Sequence, residues 1–121
     1  MNAPATDVAR AEAIARLNDR CRLGLDRTAR TVITRTCLAT FGEDNKINQI
    51  MAQAQILSAI RHYRYADNDR SPHDRGSVAY LGETVYFAID AYDLALEYGS
   101  PDPADASVTR RVMTIMMRED L

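Results

Sequence analysis

Tryptophan is absent from this chain, lysine occurs once, and cysteine only twice. No apolar run approaches the ~18–20 residues that a membrane-spanning helix requires. The opening MNAPATDVAR has no apolar stretch of the signal-peptide kind. Cys21 and Cys37 are far apart with no second thiolate near either, which excludes a zinc ribbon and leaves two free thiols behaving as small hydrophobes. A reduced, cytoplasmic protein with no membrane segment is the expectation. Five glycines form no phosphate-cradling loop. Ser71, Ser77 and Ser100 lie near turns, but none sits in a G-x-S-x-G elbow. The net charge of −2 is too small to argue for a polyanionic or polycationic partner.

What is present is a chain of 121 residues, room for one domain and one core, with an apolar share of 46% that argues against global disorder. Its charge is polarised. Residues 1–40 carry seven arginines against four acids, and residues 76–121 carry three against eight. Such a division can steer a charged partner, or the two ends can pair within the fold.

The apolar pattern divides the chain into elements. Residues 1–5 are expected to be frayed, with Thr6 as N-cap of a helix over 7–23. Val8, Ala11, Ile14, Leu17 and Cys21 recur on one face of it, and Gly24 follows as C-cap. Residues 30–40, RTVITRTCLAT, are β-branched and predict a strand covered on both sides, with Cys37 on it. Asp44 or Asn45 can cap a helix over about 46–63, whose stripe Ile47, Ile50, Met51, Ala54, Leu57, Ile60 keeps the helical period. That stripe, centred on Ile50, Ala54 and Leu57, is expected to bury itself on a sheet around Val32 and Phe87. The polar loop DNDRSPHDRG (67–76) precedes a hairpin, GSVAYL and TVYFAIDAY around Gly82-Glu83. After a turn at 100–105, residues 106–119 fit either a helix capped by Asp105 or Ser107 or a buried strand. The helix is preferred for its methionines and its cap. The fold class is α+β, with a small antiparallel or mixed three-stranded sheet packed by two or three helices, in the order α-β-α-β-β-α.

DNDRSPHDRG, GETVYFAIDAYD and YGSPDPADASVTRRVMTIMM together resemble a short proteobacterial domain-of-unknown-function family (number 3768). ARLND and RTVIT fit the likeness as well. The resemblance implies an alphaproteobacterial setting, often on plasmids and mobile elements, and a cytoplasmic accessory role. This chain departs from the family pattern at Arg75, where an aromatic follows His-Asp.

Candidate chemistry centres on two groups. Asp67, Asp69, His73 and Asp74, with Asp90 and Asp93, offer carboxylates and an imidazole, the ligand types of a hard or borderline metal ion and also groups for general acid/base work, so the hydrolase reading is metal- or acid/base-dependent. His73, Asp74 and Asp90 are the catalytic set of a small hydrolase reading. They match no complete metal signature, so no metal or cofactor is assigned. Asp90, Asp93, Glu97, Asp102 and Asp105 can instead line an acidic face that engages an Arg-rich protein groove in place of phosphates. Tyr92 and the six-residue tyrosine series Tyr80, Tyr86, Tyr92, Tyr98 are contact candidates. The N-terminal arginines Arg16, Arg20, Arg22, Arg27 and Arg30 support a nucleic-acid reading without any helix-turn-helix pattern. The first expectation is a non-enzymatic protein-binding module, an antidefence inhibitor of the anti-CRISPR or anti-restriction type. The hydrolase and the nucleic-acid binder stand as alternatives, and the sequence leaves the oligomeric state open.

Overall fold

The computed structural model describes residues 3–43 and 45–121. Its elements are helix α1 (Ala3–Arg22), strand β1 (Arg30–Ile33), helices α2 (Arg35–Gly42) and α3 (Lys46–His62), and strands β2 (Arg75–Tyr80), β3 (Glu83–Tyr92) and β4 (Arg110–Met116). Among the described residues, no helix is long and apolar enough to cross a membrane. The strands form one mixed sheet in the order β1-β4-β3-β2. β1 runs parallel to β4, and the other two pairings are antiparallel. The class is α+β, but the sheet has four strands rather than the expected three, and there are three helices.

Two local choices account for the difference. The run 30–40 does not stay extended. Its Thr34 Oγ1 accepts the Cys37 N–H at 3.2 Å and caps α2, while the Thr34 N–H still donates to the Ile115 carbonyl at 3.0 Å. A β-branched residue thus closes β1 and starts a helix, placing Cys37 on α2, fully buried. At the other end, residues 110–116 form a strand and not the preferred helix. Arg111, Met113, Ile115 and Met117 point inward while Arg110, Val112, Thr114 and Met116 point outward. The alternation is regular, but an arginine holds one of its inward places. Pairing with β1 and β3 overrides the helix propensity of the methionines. Of the expected helix two short 3-10 turns remain, Ala106–Val108, which Asp105 caps, and Arg118–Asp120 after the strand.

α3 is also turned from expectation. Ala52, Ile56 and Ile60 are its buried line, whereas Ile47, Ile50 and Met51 are 69%, 61% and 52% exposed and Ala54 is exposed. From Ile47 to Ile60 the helix has no charged side chain, so nothing in it marks a solvent face. Val32 lies on the sheet face away from the helices and is half-exposed. Asn45 caps α3 through the Asn48 N–H, and Asp44 lies outside the described residues. α1 starts at Ala3, four residues before the expected boundary. The expectation of a frayed 1–5 falls partly on residues 1–2, which are not described. The hairpin forms, with Val85, Phe87 and Ile89 on the core face as expected, but its two-residue turn is Leu81-Gly82, one residue earlier than Gly82-Glu83, and Glu83 pairs with Tyr80.

All three helices contribute to one core, against the inner face of the sheet. Cys21, Cys37, Ala52, Ile56 and Ile60 meet Val85, Phe87, Ile89, Met113 and Ile115 there. Into this layer Arg111 is buried to 2% exposure. Its Nε donates to Asn18 Oδ1 at 2.6 Å and its Nη2 to the Pro103 carbonyl at 2.5 Å. Arg111→Ala leaves two buried acceptors without a donor and a void beside them. It is expected to lower unfolding free energy by about 3 kcal/mol or more, measured by urea denaturation. Gly76→Ala should cost about 1–3 kcal/mol in the same assay, because its Cβ would collide with the Phe87 ring and come within 3.1 Å of Tyr63 Cζ.

Candidate functional site

The last turns of α1 project Asn18, Asp19 and Arg22 toward the chain that leaves α3. Arg22 Nη1 donates to the carbonyls of Ile60 and Tyr63 at 3.1 and 2.8 Å, so a buried guanidinium closes the C-terminus of α3. Asn18 Nδ2 donates to the Pro72 carbonyl at 2.8 Å. The loop between is shaped by its own side chains. Asp69 Oδ1 accepts the Ser71 N–H at 2.7 Å, and the Ser71 hydroxyl accepts the His73 N–H at 3.3 Å. These short-range bonds hold His73 at φ +56°, a left-handed conformation that histidine visits more readily than bulky or branched residues do.

That conformation aims the imidazole back at α1. His73 Nδ1 lies 3.0 and 3.1 Å from the two Asp19 carboxylate oxygens, and Arg22 Nη2 reaches the same group at 3.4 Å. The ring stacks flat on Tyr65, with centroids 4.0 Å apart and planes at 2°. The Arg22 guanidinium stands 5.6 Å from the Tyr65 ring centre, and the Tyr65 hydroxyl donates to the Arg75 carbonyl at 2.6 Å. Burial, with Tyr63 beside it, raises the Tyr65 phenol above its ordinary range, so it is a hydrogen-bond donor and not an acid. On the outer side, α1 and the 65–73 loop enclose a groove of about 710 Å³. Val8, Ala11 and Ala15 form its apolar floor. Asp7, Glu12, Asp19, Asp67 and Asp69 are its carboxylates, against the guanidinium groups of Arg16 and Arg70.

Of the residues singled out from sequence, Asp67, Asp69 and His73 line this groove. Asp74 is half-buried beside it, and its carbonyl accepts the Ile89 N–H at 2.7 Å. Asp90 is not brought to it: it occupies an outward position of β3, opposite Val112, on the far face of the sheet. The carboxylate that His73 meets is Asp19, a residue that nothing in its local pattern singles out. Among the described residues, no three His, Cys, Asp or Glu side chains are placed to hold a metal ion. The C-terminal acids are spread over local turns. Asp93 accepts the Glu97 N–H, Asp105 accepts the Ser107 N–H and hydroxyl, and Asp102 pairs with Arg10 and accepts the Ala104 N–H. The Arg10 guanidinium, followed by that backbone bond, holds the Asp102 carboxyl below its usual range.

The tyrosine series does not share a face. Tyr80 packs with Phe41 on the core side, Tyr86 and Tyr92 point outward, and Tyr98 stands in the following loop. The N-terminal arginines are likewise divided, since Arg22 is interior, Arg16 is in the groove and Arg27 and Arg30 are beyond the helix.

Residues 34–120 match a family model described as Protein of unknown function (DUF3768). The matched span takes in α2, α3, the 65–73 loop and β2 to β4. It begins after ARLND and at the last residue of RTVIT, so that part of the resemblance lies outside it. No curated protein and no solved structure matches the chain.

Neither cysteine is available as a nucleophile. Burial, reinforced by Asp26, pushes the Cys21 thiol up to about 11, and burial with Asp120 raises Cys37 as well. Both therefore remain protonated at pH 8, where the thiolate would be the reacting species. Iodoacetamide should leave both unmodified in the native protein at that pH and label both once urea has unfolded it, read by mass spectrometry.

Proposed function

The chain belongs to the family described as Protein of unknown function (DUF3768), and from that premise we propose that it is a binding module whose α1–loop groove takes a basic, amphipathic segment of another protein. The observation that carries this reading is the groove's composition. An alanine and valine floor, with Val8 55% exposed, is rimmed by five carboxylates against two guanidinium groups. An apolar floor favours burial of aliphatic side chains, and the excess of acid at the rim favours lysine or arginine beside them. The walls are preorganised. Asp19, Arg22, Tyr65 and His73 fix the loop to α1 through contacts that leave Glu12 and Asp67 on the exposed rim. Preorganisation lowers the ordering cost of association.

An antidefence inhibitor is the role that the implied mobile-element setting adds to this reading, if the bound segment belongs to a defence complex. The groove supports such docking better than the C-terminal acids do, because Asp7, Glu12 and Asp67 flank one apolar floor, whereas Asp93, Asp102 and Asp105 are spread over separate local turns.

One observation favours a second reading as an acid/base hydrolase. A proton on Nδ1, facing Asp19, leaves the lone pair of His73 on Nε2, the arrangement of an oriented general base. Turnover of simple esters or phosphoesters that His73→Gln abolishes would favour it over docking.

Random peptides displayed against the immobilised protein should enrich sequences that combine aliphatic residues with lysine or arginine. The best of them should lose tenfold or more in affinity with Val8→Arg and with Asp67→Lys, while Ile47→Arg on α3 leaves binding unchanged. Selection of acidic or featureless peptides, or affinity indifferent to Val8→Arg, would refute the docking reading.

A further inference from the structure

Among the described residues, the helices pack their buried side chains on one face of the sheet and leave the outer face to the strands' own side chains. The helices bury their core side chains against Val85, Phe87, Ile89, Met113 and Ile115, which all point to the other side. In a pleated sheet, residues directly opposite one another share a face. On this one Arg75, Ala88, Thr114 and Val32 form a row across all four strands. Tyr86, opposite Ser77 and Met116, lies on one side of that row. Tyr92, opposite Arg110, lies on the other. Six residues along β3 separate the two rings, roughly 20 Å at strand rise. Val32 is 46% exposed, and the small Ala88 makes the row a shallow trough.

The charge on this face runs against that of the chain. Arg30, Arg75 and Arg110 stand on it with Asp90 as the only acid among the described strand residues of this face, in a protein whose net charge is −2. Arg30 and Arg75 sit on the two edge strands, so positive charge flanks the trough on both sides. Arg110 spends Nε on the Thr28 carbonyl at 3.0 Å, which directs its guanidinium along the sheet and leaves its terminal nitrogens as donors. Two copies packed face to face through this surface would bring arginines against arginines, which disfavours a second copy as the occupant.

We propose that this face binds single-stranded nucleic acid. Tyr86 and Tyr92 supply stacking platforms for unpaired bases, and Arg30, Arg75 and Arg110 contact phosphates along the strand. Aromatic rings accept any base through its flat face, and guanidinium groups grip phosphate through paired N–H donors, so recognition is tolerant of sequence. Duplex is excluded as the main ligand, because its bases are stacked on one another and not free to meet the rings. This surface is independent of the α1–loop groove, and neither reading needs the other.

Fluorescence anisotropy of labelled oligothymidylate and oligouridylate tests the proposal on the full chain, the two arms separating DNA from RNA. Binding is expected at low salt and should weaken as salt rises. Tyr86→Ala with Tyr92→Ala, and separately Arg75→Ala with Arg110→Ala, should each lose tenfold or more. The arginine pair should also flatten the salt dependence by roughly one phosphate contact or more in the log–log slope. Arg61→Ala with Arg64→Ala, both exposed at and just beyond the end of α3 on the helix side of the sheet, should change affinity less than twofold. Circular dichroism checks folding; should the tyrosine pair not fold, single Arg75→Ala, at an exposed edge position, decides. Absence of binding at low salt overturns the proposal, as does equal loss in the Arg61/Arg64 control. A dimer in light scattering that Val32→Glu dissolves would also overturn it, by giving the face to a second copy.

Discussion

A guanidinium held in a protein interior must be surrounded by acceptors, and much of this molecule is arranged around Arg111. Burial lowers its affinity for the proton, yet among the described residues no carboxylate is hydrogen-bonded to it; an amide oxygen and a backbone carbonyl accept from it instead. Through Asn18 it fixes the register of α1 on β4, and through Pro103 it draws in the loop after β3. Asn18 then uses its other end on Pro72. One side-chain amide therefore links the central sheet, the first helix and the groove-forming loop. Asp19, the next residue, inherits its position from that link and meets His73 because of it.

This dependence explains which parts of the fold were legible in the sequence. The hairpin was, since Val85, Phe87 and Ile89 alternate with polar neighbours and Gly82 takes the left-handed turn position at φ +80°. β4 was not, because the residue that anchors it is an arginine where an apolar side chain would have revealed the period. α2 was hidden in a β-branched run whose Thr34 ends a strand and caps a helix with the same residue. The orientation of α3 was illegible for another reason. With no charge between Ile47 and Ile60, the choice between two apolar faces belongs to the sheet and α2, not to the helix.

The candidate site was half legible. DNDRSPHD announced a structured loop, and Asp69, Ser71 and His73 do shape one another there. Its chemical partner lies 54 positions earlier in the chain. Sequence proximity suggested Asp74 and Asp90 for His73, but the pleat of β3 sends Asp90 to the opposite side of the sheet. A helix brings Asp19 in from across the groove. The acids near the C-terminus were read as a face, but turn geometry distributes them, and several already satisfy their own backbone.

The order in which the strands sit has a consequence for how the protein is made. β4 is synthesised after the other three strands of this sheet, and it lies between β1 and β3. Until it leaves the ribosome, β1 has no neighbour, the hairpin has an open inner edge, and Arg111 is not there to dock α1. The N-terminal helix and first strand must wait, unpaired, for a segment some 80 residues downstream, a long loop to close and a slow step by chain topology. A nascent chain of this design stays exposed to chaperones and proteases until β4 has emerged, and loss of that one strand removes the middle of the sheet.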